Sequence, residues 1–169
     1  MTNLLSIHTI RFIVLLLIQV LLLSHVNFLG NINPYPYILF VLLFPVKNNR
    51  LIFILLSFLL GLLIDMFLDS GGIHAAATVT IAFIRPAALK FSFGAVYEHN
   101  AIKFGNVDFG QRITYITILV LIHHFILFLL EIFNFSKILL VLKNTLFSSI
   151  FTILLCVLIT IIFGGTNKK

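Results

Sequence analysis

The stretch "GLLIDMFLDSGGIHAAA", Gly61 to Ala77, decides how this chain is read. An apolar run carries two aspartates, Asp65 and Asp69, and ends in a glycine pair, a histidine and three alanines. Residues four apart lie on one face of a helix, so Ser57, Gly61, Asp65 and Asp69 form a single stripe. Ser57 and Gly61 make a small-xxx-small surface that lets another helix approach closely. "DSGG" reads as a turn, because Gly71 and Gly72 accept positive φ without strain. His74 opens the next helix, and Ala75 to Thr78 keep its first turn small. The stretch is the corner of a helical hairpin whose packing seam ends in an acidic cap.

The flanks of this corner say where the hairpin sits. The chain of 169 residues is 61% hydrophobic and 9% charged, against about 25% charged in soluble domains. Its apolar runs are long and apolar all round, which is the pattern of membrane-spanning helices. They do not alternate polar and apolar residues, which excludes the strands of a β-barrel. The formal net charge of +6 belongs with membrane orientation and anionic headgroups rather than with nucleic acid. The expected fold is an all-α integral membrane protein, one transmembrane domain over residues 1–169, with about six helices in a compact bundle.

The expected helices are 9–28, 32–46, 51–67, 73–91, 113–133 and 142–163. "GNINPYPY" (Gly30–Tyr37), "PVKNNR" (Pro45–Arg50), the long polar stretch Phe93–Arg112 and "NFSK" (Asn134–Lys137) separate them. The first apolar run is not followed by an A-x-A-like cleavage site, so it is expected to be a retained helix. The second helix is short: fifteen residues reach roughly 22 Å, less than a ~30 Å hydrocarbon core. With the N-terminus inside, nine of the 11 Lys and Arg residues fall on the inner side and two, Lys137 and Lys143, outside. The positive-inside rule then puts both termini in the cytoplasm.

Ionisable groups within apolar runs are costly and tend to face protein or water. Asp69 marks the wet end of its helix, whereas Asp65, one turn deeper, is expected to have a structural or partner role. His74 reads as a hydrogen-bonded interface residue rather than a metal ligand. Arg85 is expected to snorkel towards the cytoplasm. His123 and His124 lie near mid-membrane, where they are expected to make polar contacts with another helix or subunit. His124 shares a face with Glu131, which lies near the outer interface. The lone Cys156 reads as a small hydrophobe. No H-E-x-x-H, glycine-rich phosphate loop or second acidic cluster accompanies these residues. The expectation is a non-enzyme without a metal or cofactor.

The run "FLLGLLIDMFLDSGGIHAAATVTIAFIRP", Phe58 to Pro86, resembles the MreD family of bacterial rod shape-determining membrane proteins. Gly61, Asp65, Gly72, His74 and Ala75 match that family's pattern of apolar run, glycine, aspartate, turn and small residues. The resemblance covers about thirty residues by motif and the remainder in general plan. It implies a fold like that of the S components of ECF vitamin transporters. It also implies a place in the bacterial cytoplasmic membrane and a scaffold role in lateral wall synthesis. The implied partners are an MreC-like protein, the actin-like MreB and peptidoglycan-synthesis enzymes. A substrate-binding S component of a vitamin transporter is the alternative. Against it, helix one has bulky residues at its centre, where docking of a coupling protein needs small ones. A membrane enzyme acting on lipid intermediates is a third class.

Overall fold

The computed structural model describes residues 2–26, 33–46, 49–94 and 107–163. Among these the architecture is all-helical. Helix α1 (Thr2–Leu17) continues through a π-turn (Ile18–Leu22) and a 3₁₀ turn (Leu23–His25). A 3₁₀ turn (Pro36–Ile38) leads into the short α2 (Leu39–Leu43). Four long helices follow: α3 (Arg50–Leu68), α4 (Ile73–Phe93), α5 (Phe109–Ile132) and α6 (Ile138–Phe163). The segments 50–68, 73–93, 109–132 and 135–162 are each long and apolar enough to cross a membrane.

Helix starts and stops have local causes. Asn49 caps α3 by accepting the Leu51 N–H at 2.9 Å, and Asp108 caps α5 by accepting from Gly110 and Gln111. These are the side chains that satisfy orphan amides at helix starts. The Asp108 cap explains why α5 begins about a turn before the expected Ile113. At its end, α3 turns through Asp69 in the left-handed region (φ 51°), and Ser70 N–H bonds back to Asp65 O at 3.2 Å. That bond, six residues closing on one, is the usual way such an end satisfies its last carbonyls. Asp69 is exposed, so its role is to turn the chain.

The expected helix over 32–46 is corrected. Among its described residues only Pro36–Leu43 is helical, partly as 3₁₀. Pro34, Pro36 and Pro45 restrict the residues before them and remove amide donors, so a continuous helix cannot form. This segment is the centre of the core: Tyr37, Ile38, Val41 and Leu42 are wholly buried. It is packed against α1, α4 and α6. Arg11 donates to Leu43 O at 3.2 Å and Gln19 to Pro34 O at 3.4 Å, so α1 and the α2 segment run antiparallel. The expected ends that face each other, 28 of the first helix and 32 of the second, lie outside the described residues.

The long helices pack consecutively, α3 on α4, α4 on α5 and α5 on α6. Helix α6 is inside-out by soluble standards. Its inward face is Val141, Thr145, Ser148, Ser149, Thr152, Cys156 and Thr160, all buried. Leucine, isoleucine and phenylalanine occupy its outer face. A lipid-facing helix can do this, because alkyl chains outside favour the bulky residues and close packing inside favours the small ones.

Candidate functional site: the Asp65 corner and its histidine core

The corner between α3 and α4 is held by two devices. The first is Gly61. A Cβ there would lie 2.5 Å from Ala75 Cα, 2.6 Å from Ala75 N and 2.7 Å from His74 O. The helices are therefore in backbone contact, and only glycine fits. The second is Asp65, one turn on and buried. Its Oδ1 accepts from His74 N–H (3.0 Å) and its Oδ2 from Ala75 N–H (2.8 Å). Gly72, the residue preceding α4, has no side chain to cap with. Asp65 caps α4 from across the hairpin, placing a carboxylate at the positive end of the helix dipole.

Two side chains complete the carboxylate. Ser70 O–H donates to Asp65 Oδ1 at 2.5 Å, and His74 Nδ1–H donates to the same oxygen at 2.9 Å. Oδ1 thereby takes three donors and Oδ2 one, four hydrogen bonds on a group that only accepts. Because a carboxylate only accepts, the network assigns a proton to His74 Nδ1. Serine, histidine and aspartate thus meet, but not as a nucleophile relay. Both Ser70 and Asp65 approach Nδ1, whereas a relay needs the serine on the other ring nitrogen. His74 Nε2 is buried with no hydrogen-bond partner among the described residues.

Behind this corner lies a cluster of rings. Tyr35 sits between His74 and His124, with centroids 5.6 and 5.4 Å away. Tyr37 sits beside His74 and His123, at 6.0 and 5.4 Å. His123 Nε2 and Tyr37 Oη share a hydrogen bond of 2.7 Å. His124 Nδ1–H donates to Val120 O, which leaves Nε2 to accept from Thr152 O–H at 3.1 Å. Thr152 Oγ1 in turn accepts from Tyr35 N–H at 3.0 Å. One threonine of α6 thereby ties α5 to the backbone of the 33–38 segment. His123 Nδ1, like His74 Nε2, is buried and unpartnered among the described residues.

Of the residues singled out in the sequence, Gly61, Asp65, Gly72, His74 and Ala75 come together at the corner. Ser57 lies on the same stripe, buried and back-bonded to Phe53 O at 2.8 Å. His124 joins through the ring cluster. Asp69 does not join: it faces outward. Glu131 is exposed and makes no hydrogen bond to a described residue, so no path of bonds links it to His124. Tyr35, Tyr37 and Thr152 belong to the site and carry no sequence motif. Arg85 is a correction too. It does not snorkel: it is 4% exposed and held by Tyr115 and by the carbonyls of Leu42 and Phe44. Among the described residues, no group of three or more His, Cys, Asp or Glu is placed to hold a metal ion.

An apolar groove of about 570 Å³ lies between α1 and α3, lined by Phe12, Phe40, Phe44, Leu56, Leu59 and Leu63 among others. The comparisons return no matching family model, no matching curated protein and no matching solved structure.

Proposed function

We propose that this chain is a non-catalytic scaffold of the bacterial inner membrane, MreD-like. In this reading it maintains rod shape by binding an MreC-like protein and, through it, MreB and the peptidoglycan-synthesis enzymes. The observation that carries the proposal is the Asp65 corner. The five residues that bear the resemblance, Gly61, Asp65, Gly72, His74 and Ala75, act as one joint. Gly61 sets the separation of α3 and α4, and Asp65 fixes their register. A joint whose carboxylate takes four hydrogen bonds offers rigidity, which is what an adhesive surface requires. The partner's transmembrane segment is assigned to the apolar groove beside the joint, on the other face of α3.

The topology proposed has six crossings, with both termini cytoplasmic. From Asn33 to Val46, extended, 3₁₀ and α-helical pieces together reach roughly 30 Å. A broken crossing is tolerated at membrane depth where protein encloses it, and this one is enclosed by α1, α4 and α6. The antiparallel pairing with α1 supports the same arrangement, since it returns the chain to the side of Arg11.

Filling the groove tests the partner. Leu59 is 39% exposed, so Leu59→Trp should leave the fold intact. It should cut co-purification of an MreC-like partner at least tenfold. Undiminished capture at normal protein level counts against the scaffold reading. The ring cluster favours a second reading, a vitamin-binding S component, because two buried imidazole nitrogens there have no hydrogen-bond partner among the described residues. Mass spectrometry of the purified protein separates the two. One small metabolite retained at one per chain favours transport.

A further inference from the structure

The inner, basic end of the bundle holds a buried cation with no carboxylate partner among the described residues. Arg85 lies in α4 and is 4% exposed. A guanidinium stays protonated and presents five N–H donors. Nε–H donates to Tyr115 Oη at 2.9 Å, and Nη2 donates to Leu42 O at 3.4 Å and to Phe44 O. The Nη1 group has no hydrogen-bond partner among the described residues. The charge rests on the Phe53 ring, 5.0 Å from its centroid. No described carboxylate answers it: Asp65 lies with His74 at the far end of the α3–α4 hairpin. A buried charge without a counter-charge is costly, and carbonyl dipoles and a ring offset it only in part.

Arg85 also lines a cavity of about 260 Å³. Pro45 and Val46 of the α2–α3 connection, Phe53 of α3 and Pro86 of α4 form its apolar walls. The second charged lining residue is again a cation, Arg50, at the first position of α3. Arg50 is exposed, donates to Phe83 O at 3.4 Å and stacks over the Phe83 ring. Two guanidinium groups, apolar walls and no acidic residue among the described lining define an anion site. The volume falls just below the range of about 300–1,000 Å³ for drug-sized ligands. It fits a compact headgroup or ion. Guanidinium forks match phosphate oxygens in pairs.

We propose that this cavity binds a phosphate group, either of an anionic lipid headgroup or of a free phosphate, with Arg50 and Arg85 as its ligands. The proposal goes beyond the scaffold reading and stands without it. The full chain, held in phosphatidylcholine nanodiscs, is titrated with inorganic phosphate and, separately, with dihexanoyl-phosphatidylglycerol. Wild type should bind at least one probe at one per chain, and Arg50→Gln should weaken that binding tenfold or more. Arg85→Gln should do the same, with partial recovery in Arg85→Lys. Arg85→Gln also strips donors from two carbonyls and risks misfolding, so the exposed Arg50 carries the decision. Binding of both probes assigns the site to free phosphate, and binding of the lipid alone assigns it to a headgroup. Failure of wild type to bind either probe, or wild-type affinity in Arg50→Gln, overturns the proposal.

Discussion

Asp65, near the end of α3, accepts the backbone N–H of Ala75, in the first turn of α4, at 2.8 Å. The bond spans the turn and makes one helix the cap of the next. It accounts for an aspartate in an apolar run without invoking chemistry. The first amides of α4 point into a region where water is scarce, and a carboxylate answers two of them at once.

Asp65→Ala should lower stability in detergent by about 3 kcal/mol. It removes a cap, worth about 1 kcal/mol, and leaves two buried amides and an imidazole unanswered. Asp65→Asn keeps one acceptor and should fall between. Thermal denaturation of the three proteins checks the order.

Gly61 and Gly71 should separate space from conformation. Gly61→Ala places a methyl against the Ala75 backbone at 2.5 Å, so α3 and α4 must part. The expected cost is about 2 kcal/mol or more, in the range of overpacked cores. Gly71 has open space but φ +67°, so Gly71→Ala should cost only about 1 kcal/mol, from backbone strain. Equal effects in a melting comparison would contradict this assignment.

Thr152→Val keeps shape and removes the hydroxyl shared by Tyr35 and His124. A loss of about 1 kcal/mol is expected, as for interhelical polar contacts in membranes. Thr152→Ser should restore most of it. The cycle with His124 tests whether the two act together: Thr152→Val in a His124→Ala background should cost less than it does alone.

The proposed topology is read by single cysteines. The native Cys156 is wholly buried and gives a silent background. Asp69→Cys and Asn134→Cys, both at exposed turns, should react with an impermeant maleimide on intact cells. Lys90→Cys, at the opposite end of α4, should react only after permeabilisation. The reverse pattern overturns the orientation drawn from the basic residues.

The α3–α4 hairpin was legible because each part had its own signal. The stripe Ser57–Gly61–Asp65 showed the seam, "DSGG" showed the turn, and both helix boundaries fall within two residues of those read from sequence. The α2 segment was misread because its apolar residues suit a lipid-facing helix and a buried core piece equally. Proline decided the outcome, and burial supplied the stability that length could not. Tyr35 and Tyr37 were read as punctuation because they stand among prolines, and tertiary enclosure turned them into core. Thr152 did have a signal. The small and polar residues Thr145, Ser148, Ser149, Thr152, Cys156 and Thr160 recur at spacings of three and four with one adjacent pair, which marks an inward face on an apolar helix. Arg85 could not be placed from sequence, since its partners are backbone carbonyls 41 and 43 residues away and a tyrosine hydroxyl 30 residues away.

Hydrogen exchange at the His74 and Ala75 amides tests the cap most directly. In the wild type both should be strongly protected, although neither has a partner earlier in its own helix. In Asp65→Ala both should exchange roughly a hundredfold faster, the equivalent of about 3 kcal/mol. Unaltered protection of these two amides in Asp65→Ala would contradict the account.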